Sequence, residues 1–174
     1  YVCDGTADEV QINAALASLP SGKGTVTLTA GTFVTGASVE VTEYQILQGQ
    51  GVDATVIQAS TATHHVVHMG NRQADGIMRN WMGLRDLSVA SAGGANVYST
   101  VWADGVGLGS FVENVKASEG AYNFRITDAD QCAFRNLKGF NPRVASLYCE
   151  VGLENTWGNV GFSNIAMALS DNDT

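Results

Sequence analysis

One short phrase returns four times in the second half of this chain and restricts what it can fold into. It reads Leu84-Arg85-Asp86-Leu87-Ser88-Val89, then Val112-Glu113-Asn114-Val115-Lys116-Ala117. It comes back as Phe134-Arg135-Asn136-Leu137-Lys138-Gly139 and as Phe162-Ser163-Asn164-Ile165-Ala166-Met167. The Asn or Asp falls at 86, 114, 136 and 164, a spacing of 28, 22 and 28 residues. Recurrence on that scale means stacked units. Each copy is too short to stand as a free helix, and its alternation is that of a strand. One strand per turn of about 22–28 residues describes a parallel β-solenoid.

Stacking assigns a place to each position. Leu84, Leu87 and Val89, with their equivalents, point into the coil, and the second and fifth positions face solvent. Asn or Asp at the third position tolerates a bend in the backbone. Stacked Asn amides can also hydrogen-bond from coil to coil, as they do in cross-β ladders. The second position reads Arg85, Glu113, Arg135, Ser163, so opposite charges fall on adjacent coils, about 4.8 Å apart.

Composition agrees. The 174 residues are 45% apolar and only 15% charged, with 20 Gly and 2 Pro. Few charges and many glycines suit a coil that turns at every corner. The net charge of −8 argues against nucleic acid, which needs clustered cations, and against an anionic membrane surface. No apolar run is long enough for a membrane span. Cys3, Cys132 and Cys149 match no metal spacing and read as small buried hydrophobes. Cys132 and Cys149 fall on neighbouring coils, but sequence alone licenses no bond between them. No signal peptide is visible, and both ends look like cuts within a longer protein.

Residues 4–20 read as a helix. Thr6 and Glu9 are spaced as a capping box, Asp8 complements the helix dipole, and Ile12, Ala15, Leu16 and Leu19 form one apolar stripe. Pro20-Ser21-Gly22 ends it. Such a helix would cover the open end of a solenoid. Residues 1–23 are therefore the cap and entry, and 24–174 the coils of a single domain. Asn71 to Gly83 and Ser91 to Ser99 break the strand rhythm and read as loops leaving the coil.

Asp4-Gly5-Thr6-Ala7-Asp8, the helix, Gly24-Thr25-Val26-Thr27-Leu28, Ala30-Gly31-Thr32-Phe33, Leu47-Gln48-Gly49-Gln50-Gly51 and Thr55-Val56-Ile57 occur in that order. This resembles the N-terminal entry of pectate-lyase-like right-handed parallel β-helix proteins, phage tailspikes among them, and the later phrase resembles their coil repeat. The resemblance spans most of residues 3–167. It implies an all-β, right-handed parallel β-helix with an N-terminal capping α-helix. It does not imply one activity, since lyases, hydrolases, epimerases, tailspikes and non-catalytic proteins share the entry motif.

A second strand per coil reads Val101-Trp102-Ala103-Asp104, Phe124-Arg125-Ile126-Thr127 and Leu147-Tyr148-Cys149-Glu150. Alternation sends Trp102, Arg125 and Tyr148 outward in one column and Asp104, Thr127 and Glu150 in another. Asp104 and Glu150, two coils apart, lie about 9.6 Å from each other along the backbone. That is near the roughly 6.5–9.5 Å between the carboxylates of inverting glycoside hydrolases. They are the candidate catalytic acid and base. Trp102 and Tyr148 could stack on sugars and Arg125 could bind an acidic one. Outward polar and aromatic residues also suit any exposed sheet. His64 and His68 share a face on a strand while His65 points away. Asp128 and Asp130 share a face and could hold Ca²⁺, or simply form a solvated corner. No cofactor or metal is expected.

The favoured reading is a secreted or virion-surface domain that recognises, and in one version cleaves, a polysaccharide or cell-surface glycan, as a hydrolase or lyase. Tailspike resemblance implies a homotrimer or fibre assembly. The alternative is a non-catalytic structural rod of a fibre, appendage or surface layer.

Overall fold

The structure is a computed structural model that describes residues 1–93, 97–150, 157–158 and 160–167. A helix, α1 (Glu9–Ala17), and a short 3₁₀ turn (Pro20–Gly22) lead into the strands. The first coil comprises β1 (Gly24–Thr27), β2 (Gly31–Thr35) and β3 (Val39–Val41). The second comprises β4 (Gln45–Gln48), β5 (Thr55–Ala59) and β6 (Val67–Gly70). After a short helix, α2 (Arg72–Asp75), come β7 (Gly83–Ala90), β8 (Ser99–Val106), β9 (Phe111–Ser118) and β10 (Tyr122–Asp130). The last are β11 (Ala133–Phe140), β12 (Ala145–Glu150), β13 (Trp157–Gly158) and β14 (Gly161–Met167).

Among the described residues every strand pairing is parallel. One sheet runs β1-β4-β7-β9-β11-β14 and the other β3-β6-β8-β10-β12. The chain is thus the parallel β-helix that the repeat implies, and the repeat is in register. Leu87 lies over Val115, Val115 over Leu137 and Leu137 over Ile165.

The Asn/Asp position explains how two faces become one strand. In the first two coils they are separate strands, β1 and β2, then β4 and β5. From β7 onward they fuse. β7 pairs with β4 through Gly83–Arg85 and with β5 through Ser88–Ala90. The bend between the halves is at Asp86, with φ 57°, and recurs at Asn114, Asn136 and Asn164 with φ of 53°, 51° and 53°. The left-handed region costs an ordinary residue but is open to Asn and Asp. Their side chains then join the coils. Asn114 Nδ2 donates to Asp86 Oδ1 at 2.9 Å, Asn136 to Asn114 at 2.8 Å and Asn164 to Asn136 at 2.6 Å.

The inward positions make a dry interior. Leu84, Leu87, Val112, Val115, Phe134 and Leu137 are buried together with Leu47, Ile57, Val67, Met69, Phe124 and Ile126. Ser88 departs from the solvent-facing expectation. It is buried because the loop after β4 folds over it, Asp53 N–H donating to Ser88 Oγ at 2.9 Å. Arg85 and Glu113 pair in register, but the Arg85 guanidinium turns the other way, donating to Gln48 Oε1 at 2.8 Å.

At the first coil, Ile12 and Leu16 of α1 enter the same apolar cluster as Leu28, Val39 and Val41. The capping box does not form, since α1 has no side-chain cap bond. Its two carboxylates are used otherwise. Asp8 is fully buried and accepts from Gly5 N–H at 3.0 Å and Val34 N–H at 2.7 Å. Glu9 accepts from Gly36 N–H at 2.9 Å. Acidic groups at the helix start therefore bind it to β2 rather than cap it.

Candidate functional site

The outward columns of the second sheet are the ones alternation predicts. Trp102 pairs with Arg125 and Arg125 with Tyr148, while Asp104 pairs with Thr127 and Thr127 with Glu150. The first column continues back through His68 to Glu40. The facings hold; the exposures do not all follow.

Asp104 is the main departure. It points away from the coil interior yet is 0% exposed, because the segment after β6 folds over it. The N–H of Gln73 in α2 donates to Asp104 Oδ2 at 2.9 Å, and His68 Nε2 lies 3.9 Å from the same oxygen. Glycines allow this close cover. A Cβ at Gly70 would come within 2.1 Å of the Asp104 carbonyl oxygen, and one at Gly105 within 2.3 Å of the Arg72 Cβ. Arg72 Nε also lies 3.1 Å from Asp128 Oδ2, with both side chains buried. Asp128 does not share a face with Asp130, since its φ of 51° breaks the alternation. Asp130 instead accepts from Gln131.

Trp102 offers no open face. His68 stacks on one side at 4.5 Å and 15°, and the Arg125 guanidinium lies over the other at 5.0 Å. Trp102 Nε1 donates to Thr127 Oγ1 at 3.0 Å. The indole therefore braces Arg125. The histidine geometry also differs from the strand expectation. Regular strand begins only at Val67, so it is His65, not His64, that meets His68 and Trp102, at 6.2 and 4.5 Å. Ser99 N–H donates to His65 Nδ1. Burial lowers the His65 pKa to about 4. Burial alone would also lower that of His68, but Asp104 and Glu40 on either side outweigh it and push it up to about 9. Glu40 lies 2.9 Å from His68 Nδ1. Among the described residues, no group of three or more His, Cys, Asp or Glu is placed to hold a metal.

What remains open is the far end of the column. A cleft of about 320 Å³ is lined by Tyr122, Arg125, Tyr148 and Glu150, with Val97 and Val144 beside them. Arg125 donates to Glu150 Oε2 at 2.6 Å. The Tyr122 and Tyr148 rings are 4.7 Å apart, and Tyr148 is 37% exposed. Tyr122 is the residue that sequence reasoning missed. Alternation counted back from Arg125 turns it inward. Asn123 breaks the count at the corner, being fully buried with Nδ2 donating to the Phe140 carbonyl. Cys132 and Cys149 are free thiols, and burial pushes that of Cys132 up to about 12.

The strand pairings define the class, a parallel β-helix. No protein-family model and no curated protein matches the chain. Among solved structures it is similar to a pectin methylesterase determined in complex with a hexasaccharide, at 11% identity and a TM-score of 0.45. That likeness covers 80% of this chain and 56% of the enzyme, so the chain spans little more than half of it. No helix among the described residues is long and apolar enough to cross a membrane.

Proposed function

We propose that the domain recognises a glycan on its second sheet, through the cleft formed by Tyr122, Arg125, Tyr148 and Glu150. The observation that carries this reading is the meeting of two aromatic rings with a partly exposed Arg–Glu pair in one open cleft. Sugar rings have apolar faces that stack on aromatics and hydroxyls that need both donors and acceptors. Arg125 supplies donors and Glu150 acceptors. Trp102 takes part from behind, by holding the guanidinium.

The reading is of binding. An acid and base flanking a glycosidic bond must both reach it, and Asp104 lies beneath α2, outside the cleft. Of the pair expected from sequence, Glu150 alone lines the open site. A secreted or surface setting, of tailspike kind, is part of this proposal.

The test is calorimetric titration with neutral and acidic oligosaccharides. Binding should weaken about tenfold in Tyr148→Ala, through loss of a stacking face. Reducing ends or unsaturated products should not accumulate. Absence of binding to every oligosaccharide at millimolar concentration would overturn the proposal and leave the rod.

A further inference from the structure

The open cleft is shaped by groups that do not line it. Arg125, its cation, has two supports. Nη2 donates to Glu150 Oε2, and the guanidinium lies over the Trp102 indole. Arg125 Nε is buried and makes no hydrogen bond among the described residues. Glu150 thus fixes one end of the guanidinium and the indole supports its face. The direction that Arg125 takes into the cleft therefore depends on where the indole stands.

The bond from Trp102 Nε1 to Thr127 Oγ1 holds one edge of the indole but lets the ring tip about that edge. His68 takes up this freedom. It pairs in register with Trp102, as Trp102 does with Arg125. His68 and Arg125 thus stem from backbones two coils apart, about 9.6 Å, and the indole fills the space between them. His68 lies along the indole at 15°, whereas His65 meets it inclined at 43°. The imidazole is itself clamped, with Glu40 Oε2 2.9 Å from Nδ1 and Asp104 Oδ2 3.9 Å from Nε2. Asp104 is held in turn by the Gln73 N–H of α2. Shut away from solvent and from the cleft, this carboxylate touches no ligand there. Two residues from Trp102 on β8, it stands beside the imidazole on which Trp102 rests.

We infer that His68 is a positioning residue for the cleft: its ring keeps the Trp102 indole against Arg125, and Asp104 and Glu40 stabilise the imidazole in that slot. Support runs from α2 through Asp104 to His68, then through Trp102 to Arg125. The inference rests on the glycan reading for what the cleft binds, but the support itself needs no ligand. What reaches Arg125 is a flat ring, whereas what Asp104 and Glu40 require is a hydrogen-bonding partner. Substitutions can separate the two.

His68→Gln keeps hydrogen-bonding groups and loses the ring. His68→Phe keeps a ring, which close packing holds in the same slot, and leaves Asp104 without its partner. In urea unfolding His68→Phe should be the less stable of the two, yet it should be the better binder. In ligand-free ¹⁵N-labelled protein at pH 6.5, the Arg125 Nε–H signal should carry the ring-current shift of the indole in wild type and in His68→Phe. His68→Gln should lose most of that shift. Affinity for the oligosaccharide that wild type binds best should fall about fivefold in His68→Gln and stay within about twofold in His68→Phe. Should His68→Phe fail to fold, combining it with Asp104→Asn removes the buried charge, and the double variant takes its place. An unchanged Arg125 signal in His68→Gln, or affinity that follows stability across the two variants, would overturn the positioning role and leave the cleft standing. Failure of every oligosaccharide to bind wild type, with the Arg125 signal behaving as described, would overturn the glycan reading and leave the positioning role.

Discussion

At the scale of single residues, the Asn column does two jobs that can be separated. Asn136 takes a left-handed φ of 51° and links Asn114 to Asn164. Alanine loses both ladder bonds and the ease of the bend; glycine loses only the bonds. Asn136→Ala should cost about 2–3 kcal/mol in urea unfolding and Asn136→Gly about 1 kcal/mol less. Equal losses would mean that the bend is not what Asn supplies. The histidines give a second residue-scale prediction. His68 has a folded pKa of about 9, above its unfolded value near 6.5. Its contribution is complete below pH 6.5 and is lost as pH rises through 9. His65, at about 4, has the opposite sign, stabilising above pH 6.5 and losing that contribution as pH falls through 4. Together they favour greatest stability near pH 6.5. His68→Gln should flatten the alkaline limb, on the order of 2 kcal/mol at wild type, as read from unfolding at pH 6.5 and 9.

At the scale of elements, local pattern and non-local cover part company. The strand columns were legible because alternation and a fixed spacing are local properties: Trp102–Arg125–Tyr148 needed only period two and a count. The cover over Asp104 was not legible, because the path of residues 71–82 depends on glycines whose purpose appears only when coils are stacked. The capping box failed for a related reason. Its spacing is right, but β2 presents N–H groups that compete for the same carboxylates. Asp8 satisfies two backbone donors, Gly5 three residues before it and Val34 26 residues on, whereas Thr6 makes no cap bond to α1. Asp8→Ala should therefore cost about 2–4 kcal/mol, and Thr6→Ala less than about 0.5 kcal/mol. Thermal melts of the two variants check this, and a reversed order would restore the capping box.

At the scale of the whole molecule, a solenoid has no centre: each coil is buried by its two neighbours, so stability accrues along the stack. The column Leu87–Val115–Leu137–Ile165 tests that directly. The first three are 0% exposed, while Ile165 is half-buried. Truncating a side chain with coils on both sides removes its transfer energy and leaves a cavity that the rigid ladders above and below cannot close. Leu137→Ala should thus cost about 3–4 kcal/mol and Ile165→Ala about 1–2 kcal/mol, by denaturant unfolding. The cleft of Tyr122, Arg125, Tyr148 and Glu150 lies on coils that contain or adjoin Leu137, and Leu137 is not among the residues that line it. Leu137→Ala should therefore lower the unfolding midpoint while leaving saccharide affinity unchanged wherever the protein remains folded. Loss of affinity in parallel with stability would mean that the surface columns follow the interior and are not held by their own ladders.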